Sequence, residues 1–251
     1  MSGRVGDRAS VLGCEIDRLD MGQTLEACKR AIAAGDYLQH MAINAAKLVA
    51  YQDDPRLREI VRECGLVNAD GQAVVWASKL LGDPLPTRVA GVDLMQELLG
   101  LAATEGYGVY ILGARPEVLG RAIDVIRETH PGLRIAGYRD GYFDDAEVED
   151  VARAIASSRA EILFVAMSSP RKEYFLGAYG PRLGVPLVMG VGGSIDVIAG
   201  VTTRAPALMQ RMGLEWLFRL LQEPRRLATR YISTNARFVA LVLRERFRRR
   251  R

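Results

Sequence analysis

The chain of 251 residues has no uninterrupted apolar run of about eighteen residues, the length that marks a membrane-crossing helix. Met1 to Arg18 is polar and charged and lacks the apolar core of a secretory leader. Histidine is scarce, with only His40 and His130, too few for a multi-histidine metal site and a poor start for a Ser-His-Asp relay. The three cysteines, Cys14, Cys28 and Cys64, are odd in number, widely spaced and without a CxxC pair. That argues against a disulfide framework or zinc site and for a reducing cytoplasm. There is no Walker A sequence and no GxGxxG after a strand, which disfavours nicotinamide and flavin enzymes.

What is present is a large apolar fraction, 49%, enough for one sizeable α/β domain with an appendage. The net charge of +4 hides an asymmetry: residues 211–251 hold twelve arginines against three glutamates, a net of +9, so the preceding 210 residues carry −5. A mildly acidic body with a basic tail points to an anionic surface, with nucleic acid and anionic lipid as candidates and a solvated helix as the plain alternative.

From Gln39 to Val191 strand and helix signals alternate. Strands are expected at Gln39–Ile43, Gly65–Ala69, Tyr107–Leu112, Leu133–Tyr138, Glu161–Met167 and Pro186–Val191, with helices between them. Near-continuous apolar strands separated by amphipathic helices predict a Rossmann-like, mostly parallel sheet flanked by helices over residues 1–206. Ligands bind at the carboxyl ends of such strands. From Ala207 the spacing of Leu208, Met209, Met212, Trp216, Leu217, Leu220 and Leu221 predicts a helix up to Pro224, and a second runs from Arg225 to Phe247. On the second, Arg226, Arg230, Arg237 and Arg244 share one face, opposite Leu227, Tyr231, Phe238, Val239 and Val242. That is the pattern of a helix lying in a membrane interface. Residues 207–251 are therefore expected to be a membrane-docking appendage, with Phe238, Val239 and Val242 in the lipid.

Four loops follow expected strands: Asn68–Gly71, Gly113–Pro116, Ser168–Glu173 and Gly190–Gly193. Asp70, before Gly71, is placed to accept a proton, although an ordinary Asp-Gly turn has the same sequence. Arg88 stands just before a helix start and suits an anion, and Asp93 supports that helix's N-terminus. Gly190-Val-Gly-Gly193 offers backbone N–H groups to an anion or a ribose. There is no Asp-x-Asp to hold a metal on a diphosphate, so arginines, lysines and helix N-termini are expected to take its place.

Taken together, Asn44-Ala-Ala-Lys-Leu48, Asn68-Ala-Asp-Gly71, Arg88-Val-Ala-Gly-Val-Asp-Leu94, Ser169-Pro-Arg-Lys-Glu173, Gly190-Val-Gly-Gly-Ser-Ile-Asp196 and Gly213-Leu-Glu-Trp-Leu-Phe-Arg219 resemble the WecG/TagA/CpsF family of bacterial glycosyltransferases over roughly residues 10–235. The resemblance implies an inverting transfer, without metal or other cofactor, from a UDP-sugar to a polyprenyl-diphosphate-linked sugar. It takes place on the cytoplasmic face of the membrane, with no nucleic-acid partner and room for a homo-oligomer. It makes Asp70 the general base and Asn44 and Arg88 pocket residues. Gly190, Gly192, Gly193 and Asp196 become the nucleoside segment, and Arg219 and Arg226 members of the appendage that completes the site. Two positions depart from the family pattern: Ala42 replaces a frequent threonine and Lys172 a glutamine. A charged donor with no acceptor group in place of an amide alters what can be recognised, and favours an exopolysaccharide enzyme that transfers glucose or a related hexose. A nucleic-acid-binding α/β protein and another nucleotide-dependent Rossmann-like transferase, such as a methyltransferase, are the competing readings.

Overall fold

The computed structural model describes residues 5–222 and 224–249, with the side chains at 207, 211 and 225–232 outside that description. The chain opens with an antiparallel hairpin, β1 (Arg8–Val11) and β2 (Cys14–Asp17), followed by α1 (Met21–Ala34). Then come β3 (Leu38–Ile43), α2 (Ala45–Asp53), α3 (Pro55–Glu63), β4 (Leu66–Ala69), α4 (Gln72–Leu80), α5 (Gly91–Glu105), β5 (Gly108–Gly113), α6 (Pro116–Thr129) and β6 (Arg134–Arg139). The body closes with α7 (Val148–Ser157), β7 (Ile162–Ala166), α8 (Arg171–Tyr179), β8 (Leu187–Gly190) and α9 (Ser194–Ile198). Three helices follow: α10 (Ala207–Arg211), α11 (Glu215–Gln222) and α12 (Pro224–Arg248).

Strands β3 to β8 form one parallel sheet in the order β4-β3-β8-β7-β5-β6. Alternate residues of each strand enter opposite cores, which is why the strands read as continuous apolar runs. Val109, Ile111, Phe164 and Met189 pack with α1, α5, α6 and α9. Their neighbours Tyr110, Leu112, Val165 and Val188 pack with α7 and α8, and Met41, Ile43, Val67 and Ala69 with α2, α3 and α4. The order places the ends of β4, β3 and β8 side by side, and the loops after them carry Asp70, Asn44 and Gly190 to Gly193.

The expected strands all form, within a residue or two of the expected limits. The hairpin and α1 were not anticipated. Arg8 pairs with Asp17 at 2.8 Å and donates to the Cys64 and Gly65 carbonyls, while Asp17 accepts from the Val67 N–H, so the hairpin is fastened to the β4 edge. A capping box between Asp20 and Gln23 starts α1. All three cysteines are free and buried.

The C-terminal region corrects two expectations. The periodicity read as one helix from Ala207 is broken at Gly213, which adopts φ +68°; a Cβ there would lie 2.8 Å from the Trp76 ring. The second correction concerns lipid contact. Phe238 and Val242 are buried with Leu48, Val49 and Tyr51, because α12 lies across α2. Periodicity marks the apolar face of a helix but not whether lipid or protein covers it. Of the three residues expected in lipid only Val239 is exposed, and it begins a stripe with Leu243 and Phe247. Three arginines at this end of the chain also turn to the body: Arg237 pairs with Asp53, Arg246 donates to the Leu80 carbonyl, and Arg249, just after α12, to the carbonyls of Leu81 and Ser10. No described helix is long and apolar enough to cross a membrane.

Candidate active site

The ends of β3 and β4 are tied together by the Asp70 N–H, which donates to the Ile43 carbonyl at 2.8 Å. Asn44, the next residue on β3, caps α2 by accepting from the Lys47 N–H at 3.0 Å. A Cβ at Gly71 would sit 3.8 Å from the Asn44 Cβ, so Asn44 and the Asp70–Gly71 loop are in van der Waals reach.

Asp70 performs a task that its sequence context conceals. The residue before α5 is Ala90, which offers no side-chain cap. The first N–H of α5, at Gly91, instead donates to Asp70 Oδ1 at 2.7 Å. A carboxylate at a helix N-terminus meets both the orphan N–H groups and the positive end of the helix dipole. Oδ2 has no partner among the described residues and is the oxygen free to take a proton. Burial pushes the Asp70 carboxyl above its ordinary range; the Gly91 N–H, the Lys47 ammonium and the Arg219 guanidinium oppose that. A base with a raised pKa is better matched to neutral pH.

Below this carboxylate lies a cluster of which the sequence reading named only one member. Lys47 and Lys172 both reach Oε1 of Glu173, at 2.9 and 3.0 Å, and all three side chains are at least nine-tenths buried. Burial alone would raise the Glu173 carboxyl; the two ammonium groups reverse this and hold it at about 2. Burial and the like charge of Lys47 lower the Lys172 pKa, opposed by Glu173 and Asp70.

The glycines after β8 are placed differently from the expected anion cradle. The Val191 and Gly192 N–H groups both go to the Val165 carbonyl, at 2.9 and 3.4 Å, and the Ser194 N–H goes to Val191. Gly190 has the stem of Lys172 against it: a Cβ there would be 3.1 Å from Cδ and 3.2 Å from Cε. Gly193 faces the Arg219 guanidinium and the Asp196 carboxylate, each 3.6 Å from where its Cβ would be. Arg219 and Asp196 thus both approach Gly193, and Asp196 belongs to α9, which is only five residues long.

Arg88 turns away from Asp70 and ties α10 and α11 to the body. It donates to Glu215 Oε2 at 2.6 Å and to Gln210 Oε1 at 3.3 Å. Glu215 also pairs with Arg204, whose guanidinium is held by Asp93. The Arg226 side chain lies outside the described residues. Among the described residues no three His, Cys, Asp or Glu side chains are grouped to hold a metal ion. Asp70, Asn44, Lys172 and the Gly190 loop therefore converge, Arg219 and Asp196 border them, and Arg88 is bound to Glu215, whose charge acts on Asp70.

The model for the glycosyl transferase WecG/TagA/CpsF family matches residues 9–251. The chain belongs to that family. A curated relative from Bacillus spizizenii, an N-acetylglucosaminyldiphosphoundecaprenol N-acetyl-beta-D-mannosaminyltransferase, is 38% identical over 173 residues. The match takes in 69% of this chain and 66% of the relative, just under two thirds of that protein's length. In this WecG/TagA/CpsF chain, an acid, an amide and two lysines come together at three adjacent strand ends. Lys47 and Glu173 were missed as site residues because each, read alone, is a charged residue in the first turn of a helix. Their place in the first turn of the helix that follows an apolar strand was the available signal.

Proposed function

We propose that this protein transfers a hexose or N-acetylhexosamine from a UDP-sugar to a polyprenyl-diphosphate-linked glycan, with inversion and without a metal, in the assembly of a cell-surface polysaccharide. The observation that carries the reading is the half-satisfied carboxylate of Asp70, fixed by one oxygen at the α5 N-terminus and open at the other, beside buried positive charge. In this reading Oδ2 takes the proton of an acceptor hydroxyl. The hydroxyl oxygen forms a bond to the anomeric carbon while the bond from that carbon to the β-phosphate oxygen breaks on the opposite face. The departing diphosphate leaves with the electron pair and is stabilised by fixed cations, the role otherwise taken by a metal. The relative's printed name supports the class of acceptor.

Residues 207–251 serve in this proposal as the appendage that brings the site to the inner face of the plasma membrane. The exposed stripe Val239, Leu243 and Phe247, with Arg244 and Arg248 on the same turns, fits an anionic interface better than the residues first expected. The decisive experiment is a panel of UDP-sugars offered with a lipid-diphosphate-linked monosaccharide in the presence of EDTA. Transfer with inverted stereochemistry is expected. No transfer from any donor, or transfer only after magnesium or manganese is restored, overturns the proposal.

A further inference from the structure

Two buried lysines share one carboxylate oxygen beneath Asp70, and their surroundings fall short in two ways. The first shortfall concerns charge: Lys47 and Lys172 are balanced by Glu173 and Asp70 while Asp70 is ionised, and the cluster is left at a net +1 once Asp70 has taken a proton, where water is largely excluded and charges interact strongly. The second is hydrogen bonding. Two ammonium groups carry six N–H donors. Beyond the ion pairs to Glu173 Oε1, the recorded contact is from Lys47 to the Met41 thioether at 3.3 Å, a weak acceptor. Both ammonium groups therefore keep N–H donors to spare, and an anion with several oxygens supplies acceptors for them and a counter-charge when Asp70 is protonated.

We propose that Lys47 and Lys172, drawn together on Glu173, form the diphosphate-binding floor of the site, and that Gly190 lacks a side chain in order to seat Lys172 rather than to wrap a phosphate. The position fits the donor's diphosphate. Attack assisted by Asp70 drives the leaving oxygen away from the base, and the donor's β-phosphate is the anion bonded to the reacting carbon. The acceptor's diphosphate lies across at least one sugar ring from the attacking hydroxyl. The glycine geometry agrees: the loop's N–H groups at Val191, Gly192 and Ser194 are used within the fold, while the Lys172 stem fills the space above Gly190. Glu173 is then a positioning residue. Without a counter-charge a buried ammonium group loses its proton, and the Glu173 carboxylate opposes that loss at Lys172.

This inference rests on the transferase reading above, and the test separates the two. UDP, UMP and pyrophosphate are titrated against the full-length chain in EDTA, alongside a short-chain prenyl diphosphate to represent the acceptor. The variants are Lys47→Met, which leaves the Lys172–Glu173 pair intact, and Lys172→Gln, which puts a neutral amide at that position. Thermal melts establish that each is folded. The wild type is expected to prefer UDP over UMP and to bind pyrophosphate in competition with UDP. Each variant is expected to lose about tenfold in UDP affinity, the effect of one lost charge-assisted contact, with UMP affinity unchanged. A folded variant of either kind that keeps the wild-type preference for UDP over UMP overturns the floor and leaves the transferase reading standing. Loss confined to the prenyl diphosphate overturns the assignment to the donor. A wild type that binds no UDP removes both readings together.

Discussion

The molecule gathers positive charge in two places and treats it differently in each. At the ends of β3 and β8 the cations are two, buried, and pinned on one carboxylate with bonding capacity to spare. In the C-terminal helices they are many and exposed or half-exposed, and several are already used. Arg237 is bound to Asp53, Arg246 and Arg249 to carbonyls of the body, and Arg88 on the body reaches out to Glu215. Charge in a dry site acts strongly on whatever enters it, whereas exposed pairs are screened and weak. In the proposed reading, chemistry therefore belongs to the floor, and orientation of the chain against its surroundings to the tail.

The comparison breaks most easily at Asp70. Asp70→Asn keeps the shape and removes the base, and turnover is expected to fall about 10²–10⁴-fold, the usual contribution of general-base catalysis, with UDP affinity retained. The pH profile sharpens this result. Because burial raises the Asp70 carboxyl, the acidic limb of kcat/KM should lie above the ordinary carboxylate range, with activity rising as pH increases through it. Lys47→Met removes a charge that favours the ionised form and should move that limb to still higher pH. A variant at position 70 with more than half of wild-type turnover removes the base from the floor.

The second break concerns where the tail belongs. Phe238 is buried in the α2, α3 and α4 core. Phe238→Ala is expected to cost about 3–5 kcal/mol, the range for emptying an aromatic site, read as a lower denaturant midpoint. Val239→Ser, Leu243→Ser and Phe247→Ser together should leave that midpoint nearly unchanged and abolish binding to vesicles containing anionic lipid. The opposite pattern would return Phe238 to the lipid and detach α12 from the body.

The floor also has a stability signature. Glu173 has a folded-state pKa of about 2 against an ordinary value of 4.5. A depressed carboxyl contributes stability that is fully present above the unfolded value and lost as pH falls toward the folded one. The difference in denaturant midpoint between wild type and Glu173→Gln should therefore be constant at neutral pH and shrink below about 4.5. A difference that does not change with pH would mean that the carboxylate's charge is not what holds the lysines.

Much of the parallel sheet was legible in the sequence because its strands are apolar on both faces and its helices begin at marks such as Pro55 and Pro116. The hairpin was not, since Ala9, Val11, Cys14 and Ile16 make runs too short to stand out and are held by Arg8 and Asp17 across the chain. Asp70 stood out by its place after a strand, but its capping of α5 depends on Gly91, which only the tertiary fold brings close. Lys172 was visible as a departure from the family pattern. Its partner Glu173 is the next residue, but Lys47 was hidden because its ion pair with Glu173 joins residues so far apart in the chain that no local spacing marks it. The same limit explains α12: its amphipathic pattern is plain, and the identity of what covers it is not.

The smallest expected effect tests the tail's own electrostatics. Arg237 and Asp53 form a bidentate pair, with both contacts at 2.6 Å and both side chains about half exposed. Good geometry alone does not make such a pair strong, because solvent screens it and two flexible side chains must be held. Arg237→Ala should leave the melting temperature indistinguishable from wild type, since Phe238 and Val242 beside it already hold α12 on α2 by burial. The same variant should change vesicle binding little, because the guanidinium is engaged with Asp53 rather than offered to lipid. Asp53→Ala supplies the complementary measurement: it releases Arg237, and vesicle binding should strengthen in low salt and return to the wild-type level as ionic strength rises. If Arg237→Ala instead lowers stability as much as Phe238→Ala, surface charge holds the tail in place, and the division between a buried floor that does chemistry and an exposed tail that only orients the chain fails at its simplest point.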